Sequence, residues 1–80
     1  MPEEVLFKTE GRHPRAEIAE HLRTAAAQIE DGSVHLEGRT EPRDVAIPDT
    51  PRFEVELERL TDSETGEKRY ELEYEIRWTE

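Results

Sequence analysis

The last third of the chain alternates between apolar and charged residues, and this alternation constrains the fold more than any other feature. Every second side chain in residues 53–57 and 70–78 is apolar, namely Phe53, Val55, Leu57, Tyr70, Leu72, Tyr74, Ile76 and Trp78. Most positions between them are glutamates, namely Glu54, Glu56, Glu58, Glu71, Glu73 and Glu75. A period of two is typical of β-strands, and the Gly-containing segment 61–66 predicts the turn of a β-hairpin. One face of this hairpin must pack, and the other must face water.

The charges on the hairpin predict its register. Like charges directly opposite each other on a sheet are unfavourable. We therefore expect Arg52 to face Glu75 and Arg69 to face Glu58, rather than Arg52 to face Arg77. The preference amounts to only a few tenths of a kcal/mol per exposed pair.

The first half of the chain predicts a strand and then a helix. Apolar and polar side chains alternate in residues 4–10, which indicates a first strand that ends at Gly11. Pro14 suits the first position of a helix and makes His13 the N-cap. An apolar stripe at helical spacing follows, formed by Ile18, Leu22, Ala25, Ala26 and Ile29. Gly32 suits the left-handed position that ends a helix.

Two short strands are predicted between the helix and the hairpin. Val34 and Leu36 alternate with polar residues, segment 38–42 is a turn, and residues 44–47 form the second short strand. Pro48 and Pro51 then stop regular structure. The sequence thus predicts one α+β domain over residues 1–80, of order β-α-β-β-β-β, with one helix packed on one face of an antiparallel sheet.

The composition indicates a small acidic protein adapted to salt. Eleven Lys and Arg against 21 Asp and Glu give a net charge of −10 over 80 residues. Only Lys8 and Lys68 are lysines, and the other basic residues are arginines. In molar salt the Debye length is about 3 Å, so surface carboxylates repel each other little. Because hydrophobic residues make up only 32%, we expect self-association to complete the core.

Several classes of partner and location are disfavoured by the same composition. No segment is a basic patch, so neither nucleic acid nor an anionic membrane surface is an expected partner. The chain has no Cys, which removes disulfides and thiolate metal sites. The start of the chain lacks the pattern of a signal peptide, and no stretch is apolar enough to cross a membrane. We expect a cytoplasmic protein.

The chain resembles the amphi-Trp domain family over essentially its whole length. The resemblance rests on the opening residues 4–7, the helix segment 15–22 and the closing amphipathic strands that end at Trp78. It implies the boundaries of the fold and Trp78 as the family's marker. It carries over no catalytic residue, substrate or cofactor.

Residues for catalysis or metal binding are sparse. No two of His13, His21 and His35 have the spacing of a helical zinc pair, so we interpret them as surface histidines. Ser33 and Ser63 both lie at predicted turns, and no Gly-rich phosphate loop is present. Carboxylates are abundant, but acid–base catalysis needs carboxylates in different environments. We expect a protein that is not an enzyme and uses no metal or cofactor.

Two functions in protein binding remain. The first is a binding or assembly module, self-associating as a homodimer, with Trp78, Tyr74 and Tyr70 as candidate contacts. Trp78 is in phase with its apolar neighbours and is expected to be a core residue at the sheet edge, a position compatible with a dimer interface. The alternative is an acidic decoy or regulator that binds a basic protein through its glutamates, with candidate contacts Glu54, Glu56, Glu71 and Glu73.

Overall fold

The computed structural model describes residues 2–39 and 41–80 and has one helix followed by four strands. These elements are α1 (Arg15–Asp31), β1 (Ser33–Leu36), β2 (Arg43–Ala46), β3 (Arg52–Thr61) and β4 (Lys68–Arg77). The strands form two antiparallel hairpins, β1–β2 and β3–β4. The chain divides into two compact units, Met1–Asp49 and Thr50–Glu80. The α+β class is confirmed.

The prediction of one antiparallel sheet under the helix is wrong, because the four strands form two separate two-stranded sheets. The segment between β2 and β3 contains Pro48 and Pro51, and none of residues 47–51 is in a strand. Proline lacks a backbone N–H and cannot donate to a ladder. The expected stop is therefore confirmed, and strand pairing stays local to each hairpin.

The predicted first strand is also wrong, because residues 4–10 form no strand. A strand needs a hydrogen-bonded neighbour, and β1 and β2 pair with each other across a short loop whose closure costs little entropy. Phe7 is half-buried, and a Cβ placed on Gly38 would lie 3.1 Å from Cζ of its ring. Val5 is 75% exposed, so the alternating pattern of this segment is not enough to bury its apolar side chains.

The start of α1 lies one residue later than predicted. Pro14, not His13, is the N-cap, with an extended ψ of 146°. Its carbonyl accepts hydrogen bonds from the backbone N–H groups of Glu17 at 3.0 Å and Ile18 at 3.1 Å. His13 contacts the first turn through its side chain, since Nδ1 lies 3.2 Å from Oε1 of Glu17.

The end of α1 is confirmed at Gly32, which has a left-handed φ of 91°. Its N–H donates to the carbonyls of Gln28 and Ile29, which would otherwise lack partners at the helix end. The Gly32 carbonyl accepts from the N–H of Ile47 at 2.9 Å. One glycine thus ends the helix and connects it to the end of β2.

Helix α1 packs on β1, and only part of its apolar stripe is covered. Ala25 and Ile29 are half-buried, whereas Ile18 and Leu22 are 45% and 52% exposed. The backbone N–H of His35 donates to Oε1 of Gln28 at 3.1 Å, which ties β1 to the helix. No residue in the described parts of the chain is fully buried.

The register of β3–β4 differs from the one predicted from charge, because Arg52 faces Arg77 and Glu58 faces Glu71. The turn decides this. Asp62 donates its N–H to the carbonyl of Glu67 at 2.8 Å and accepts at its own carbonyl from Gly66 at 2.9 Å. The register expected from charge would leave only residues 63–64 in the loop. Two-residue hairpin loops need positive φ angles, which Ser and Glu adopt poorly.

The side chain of Asp62 strengthens the observed turn. Its Oδ1 accepts hydrogen bonds from the backbone N–H groups of Glu64 at 2.8 Å and Thr65 at 3.1 Å. Gly66 supplies the left-handed residue that closes the loop, with φ of 74°. Each backbone hydrogen bond contributes about 0.5–1.5 kcal/mol net. Together these contacts outweigh exposed ion pairs of a few tenths of a kcal/mol.

Candidate interaction surfaces

One face of the β3–β4 hairpin is apolar over most of its length, and Arg59, Thr61 and Lys68 lie on the same side near the turn. We call it the apolar face; its members in the ladder are Phe53, Val55, Leu57, Tyr70, Leu72, Tyr74 and Ile76, and we count with them Trp78, which follows in phase just beyond the end of β4. The register pairs Phe53 with Ile76, Val55 with Tyr74 and Leu57 with Leu72 across the two strands. Leu57 is 70% exposed and Tyr70 is 60% exposed. More than half of each of these two side chains is therefore accessible to solvent.

The aromatic residues concentrate toward the open end of the hairpin. The rings of Phe53 and Tyr74 are stacked, with centroids 6.4 Å apart and an interplanar angle of 19°. Trp78 follows the end of β4 and remains 39% exposed. The expectation of a core tryptophan is therefore wrong. Tyr74 and Tyr70 lie on one accessible face of β4, and Trp78 follows them in phase.

The opposite face of the hairpin carries a ladder of carboxylates. We call it the glutamate face; it consists of three directly opposed pairs, Glu54 with Glu75, Glu56 with Glu73 and Glu58 with Glu71. The register expected from charge would oppose Glu54 with Glu73 and Glu56 with Glu71 and place arginines opposite Glu58 and Glu75, so the observed register has three glutamate pairs where two were expected. The sequence predicted a row of opposed glutamates on this face, but the turn shifts the partners by two residues and removes the arginines from opposite Glu58 and Glu75.

The glutamate face is only partly neutralised. Arg77 lies 3.3 Å from Oε2 of Glu54 and 3.4 Å from Oε1 of Glu75. The pKa of Glu56 is raised above its usual value by neighbouring negative charges. The largest effects come from Glu58 and Glu54 on the same strand, followed by Glu73 on the opposite strand. Repulsion between the carboxylates is the cause, since a nearby like charge disfavours ionisation.

In the first unit, His35 lies between carboxylates. Its Nδ1 is 2.7 Å from Oδ1 of Asp44, directly opposite in the β1–β2 ladder, and its Nε2 is 3.7 Å from Oε1 of Glu37. The hydrogen bond with Asp44 raises the pKa of His35, and Glu37 adds to the effect. This contact joins two short strands, so we interpret the residue as structural.

A groove of about 750 Å³ in the first unit was missed by the sequence analysis. Phe7 and His13 line one part of it, and His21 and Leu36 line others. The rings of His13 and His21 lie edge to face at 6.2 Å. Within residues 2–39 and 41–80, no three metal-binding side chains converge. No periodicity marks this groove, because the irregular segment before α1 forms part of its wall.

Helix α1 and a short hairpin, followed by a long amphipathic hairpin with a tryptophan at its end, define a small α+β domain. The Amphi-Trp domain matches residues 1–80, and the chain belongs to that family. The resemblance inferred from the sequence is confirmed. No curated protein and no solved structure matches the chain. Among the described residues, no helix has the length and apolar character required to cross a bilayer.

Proposed function

We propose that this domain is a self-associating binding module of a salt-rich cytoplasm, that the apolar face is its interface, and that it is not an enzyme. The supporting observation is the exposure of this face. Phe53, Leu72 and Tyr74 are each about 60% exposed. Large apolar patches on soluble proteins usually mark places where another surface binds.

The size of the face supports a stable contact. Aromatic side chains present about 150–250 Å² each. At the observed exposures, the aromatic and aliphatic residues together leave about 600–800 Å² of apolar surface per chain in water. Two such faces in contact would remove about 1,200–1,600 Å² from water, which is the size of a standard specific interface.

The position of the charges supports association through this face in particular. The carboxylates of the glutamate face lie on the side of the hairpin away from the apolar face, since successive side chains of a strand alternate sides. Association therefore leaves them hydrated. Molar salt shortens the Debye length to about 3 Å and removes most of the remaining repulsion between two chains of net charge −10.

The test is the solution mass of the wild type and two matched variants, by sedimentation equilibrium in 2 M KCl and in dilute buffer. Leu57→Gln removes a 70% exposed side chain from the apolar face. Leu60→Gln makes the same change at a 39% exposed residue on the opposite side of β3. We expect a wild-type dimer in KCl that Leu57→Gln dissociates and Leu60→Gln preserves, with unchanged circular dichroism. A monomeric wild type, or equal effects of the two variants, would refute the proposal.

A second candidate function is binding of a basic protein through the glutamate face. The three opposed glutamate pairs support it, because strands about 4.8 Å apart give a dense row of negative charge. The probe is a fluorescent nona-arginine peptide in dilute buffer. Glu56→Gln with Glu73→Gln should weaken its binding more than Glu3→Gln with Glu4→Gln, which removes the same charge elsewhere. Equal weakening would mean that net charge alone attracts the peptide.

A further inference from the structure

The two ends of the apolar face differ in chemistry. At the open end lie Trp78 and the stacked ring of Phe53. At the turn end, Arg59 faces Tyr70 and Lys68 faces Thr61 across the strands. Arg59 and Lys68 fall on the apolar side of the hairpin by strand alternation. In the described part of the chain, neither has a carboxylate oxygen within 4.0 Å.

The register defines where these ends would meet in a symmetric pair. If the register continues by one residue beyond the last pair, Arg52 with Arg77, then Trp78 lies level with Pro51. The face is about 33 Å long from this level to that of Thr61 and Lys68, at about 3.3 Å per residue. Its midpoint lies between the Val55–Tyr74 and Leu57–Leu72 pairs. A two-fold axis through this midpoint brings each turn end to the other copy's open end.

We propose that two copies associate face to face with their hairpins antiparallel, so that the cations of one copy cover the aromatic end of the other. In this arrangement Arg59 is level with Phe53 of the partner subunit, and Lys68 is level with Trp78 of the partner subunit. A guanidinium or ammonium group over an aromatic ring is attracted to the ring's negative face. The inference rests on the proposed function and specifies its geometry.

The parallel arrangement is disfavoured by the same groups. It would collect the Arg59 and Lys68 side chains of both copies at one end of a partly dehydrated interface, without a described carboxylate beside them. Burying unpaired charges is costly whatever the ionic strength, because salt cannot screen groups from which water has been removed. Both arrangements are isologous, so in the antiparallel pair each contact between a cation and an aromatic ring occurs twice.

The experiment measures the distance between nitroxide labels on Ser63→Cys in the dimer by pulsed dipolar spectroscopy in 2 M KCl. The natural chain has no Cys, so the label is unique, and Ser63 lies in the turn beyond the apolar face. The antiparallel pair predicts a separation near 40 Å, and the parallel pair a separation below about 20 Å. A short separation overturns this inference and leaves self-association standing. The absence of any dipolar signal together with a monomeric mass overturns the proposed function itself.

A matched pair of variants tests the cationic contact. Arg59→Gln removes a cation from the apolar side, and Arg69→Gln removes one from the glutamate side near the same end of the hairpin. We expect Arg59→Gln to weaken the dimer about 5- to 30-fold, since each dimer contains the contact twice. Arg69→Gln should change the dissociation constant less than about twofold. Equal effects would show that Arg59 does not contact the partner and would overturn the inference.

Discussion

Replacing Gly66 by alanine tests whether the turn sets the register of the β3–β4 hairpin. Gly66 has φ of 74°, and a Cβ built on it meets no atom within 4 Å. A clash therefore contributes nothing, and only the backbone conformation opposes the change. An L-residue in the left-handed region costs about 1–2 kcal/mol. The free energy of unfolding should fall by about that amount, measured by urea denaturation at constant protein concentration in 2 M KCl.

Two controls separate backbone strain from other effects. Gly11→Ala makes the same chemical change where φ is not left-handed, and the new Cβ would meet only Nε2 of His13 at 3.4 Å; it should change stability by less than about 0.5 kcal/mol. A synthetic chain with D-alanine at position 66 favours positive φ and should match or exceed the wild type. If D-alanine destabilised the protein as much as L-alanine, the reasoning about the turn would be refuted.

Three further predictions concern side-chain contacts. Protonated His35 beside Asp44 should stabilise the folded state fully below the ordinary pKa of 6.5, and this stabilisation should be lost as the pH rises through the raised pKa. In urea denaturation, His35→Gln should therefore flatten that part of the dependence of stability on pH. The raised pKa of Glu56 means that the folded state binds a proton more readily, so stability should fall as the pH rises from 4.5 through the raised value. In dilute buffer at pH 7, Glu56→Gln should therefore raise the urea midpoint, and molar KCl should remove the gain. Gly38→Ala should lower the thermal stability by less than about 1 kcal/mol, because its Cβ would lie 3.1 Å from Cζ of Phe7, and this half-buried ring needs to move only slightly to make room.

Each of these has its own control. A pH dependence that persists in His35→Gln would assign the titration to another group. Glu3→Gln removes the same charge as Glu56→Gln from a segment without strand pairing, so an equal gain in both variants would argue against local repulsion on the glutamate face. Phe7→Leu should relieve the Gly38→Ala variant, and an additive loss in the double variant would contradict the proposed contact.

Much of the local structure could be predicted from the pattern of residues. Helix α1 and its end at Gly32 follow from helical spacing and one left-handed glycine. The long hairpin and its two chemically distinct faces follow from the alternation around segment 61–66. Alternation alone therefore places Tyr70 and Tyr74 on one face of the hairpin and the glutamates on the other. These features depend on interactions within a few residues or across one turn.

The sequence by itself determined which segments form the helix and the paired strands, and which side chains share a face, because periodicity acts locally. Only the tertiary structure decided the register and the strand partners. The backbone hydrogen bonds around Asp62 and the positive φ of Gly66 placed Arg52 opposite Arg77, against the weak preference of exposed charges. The alternating residues 4–10 pair with no strand, although both strands of a two-stranded sheet are edge strands. Alternation can orient side chains, but a strand also needs a neighbour that satisfies its backbone.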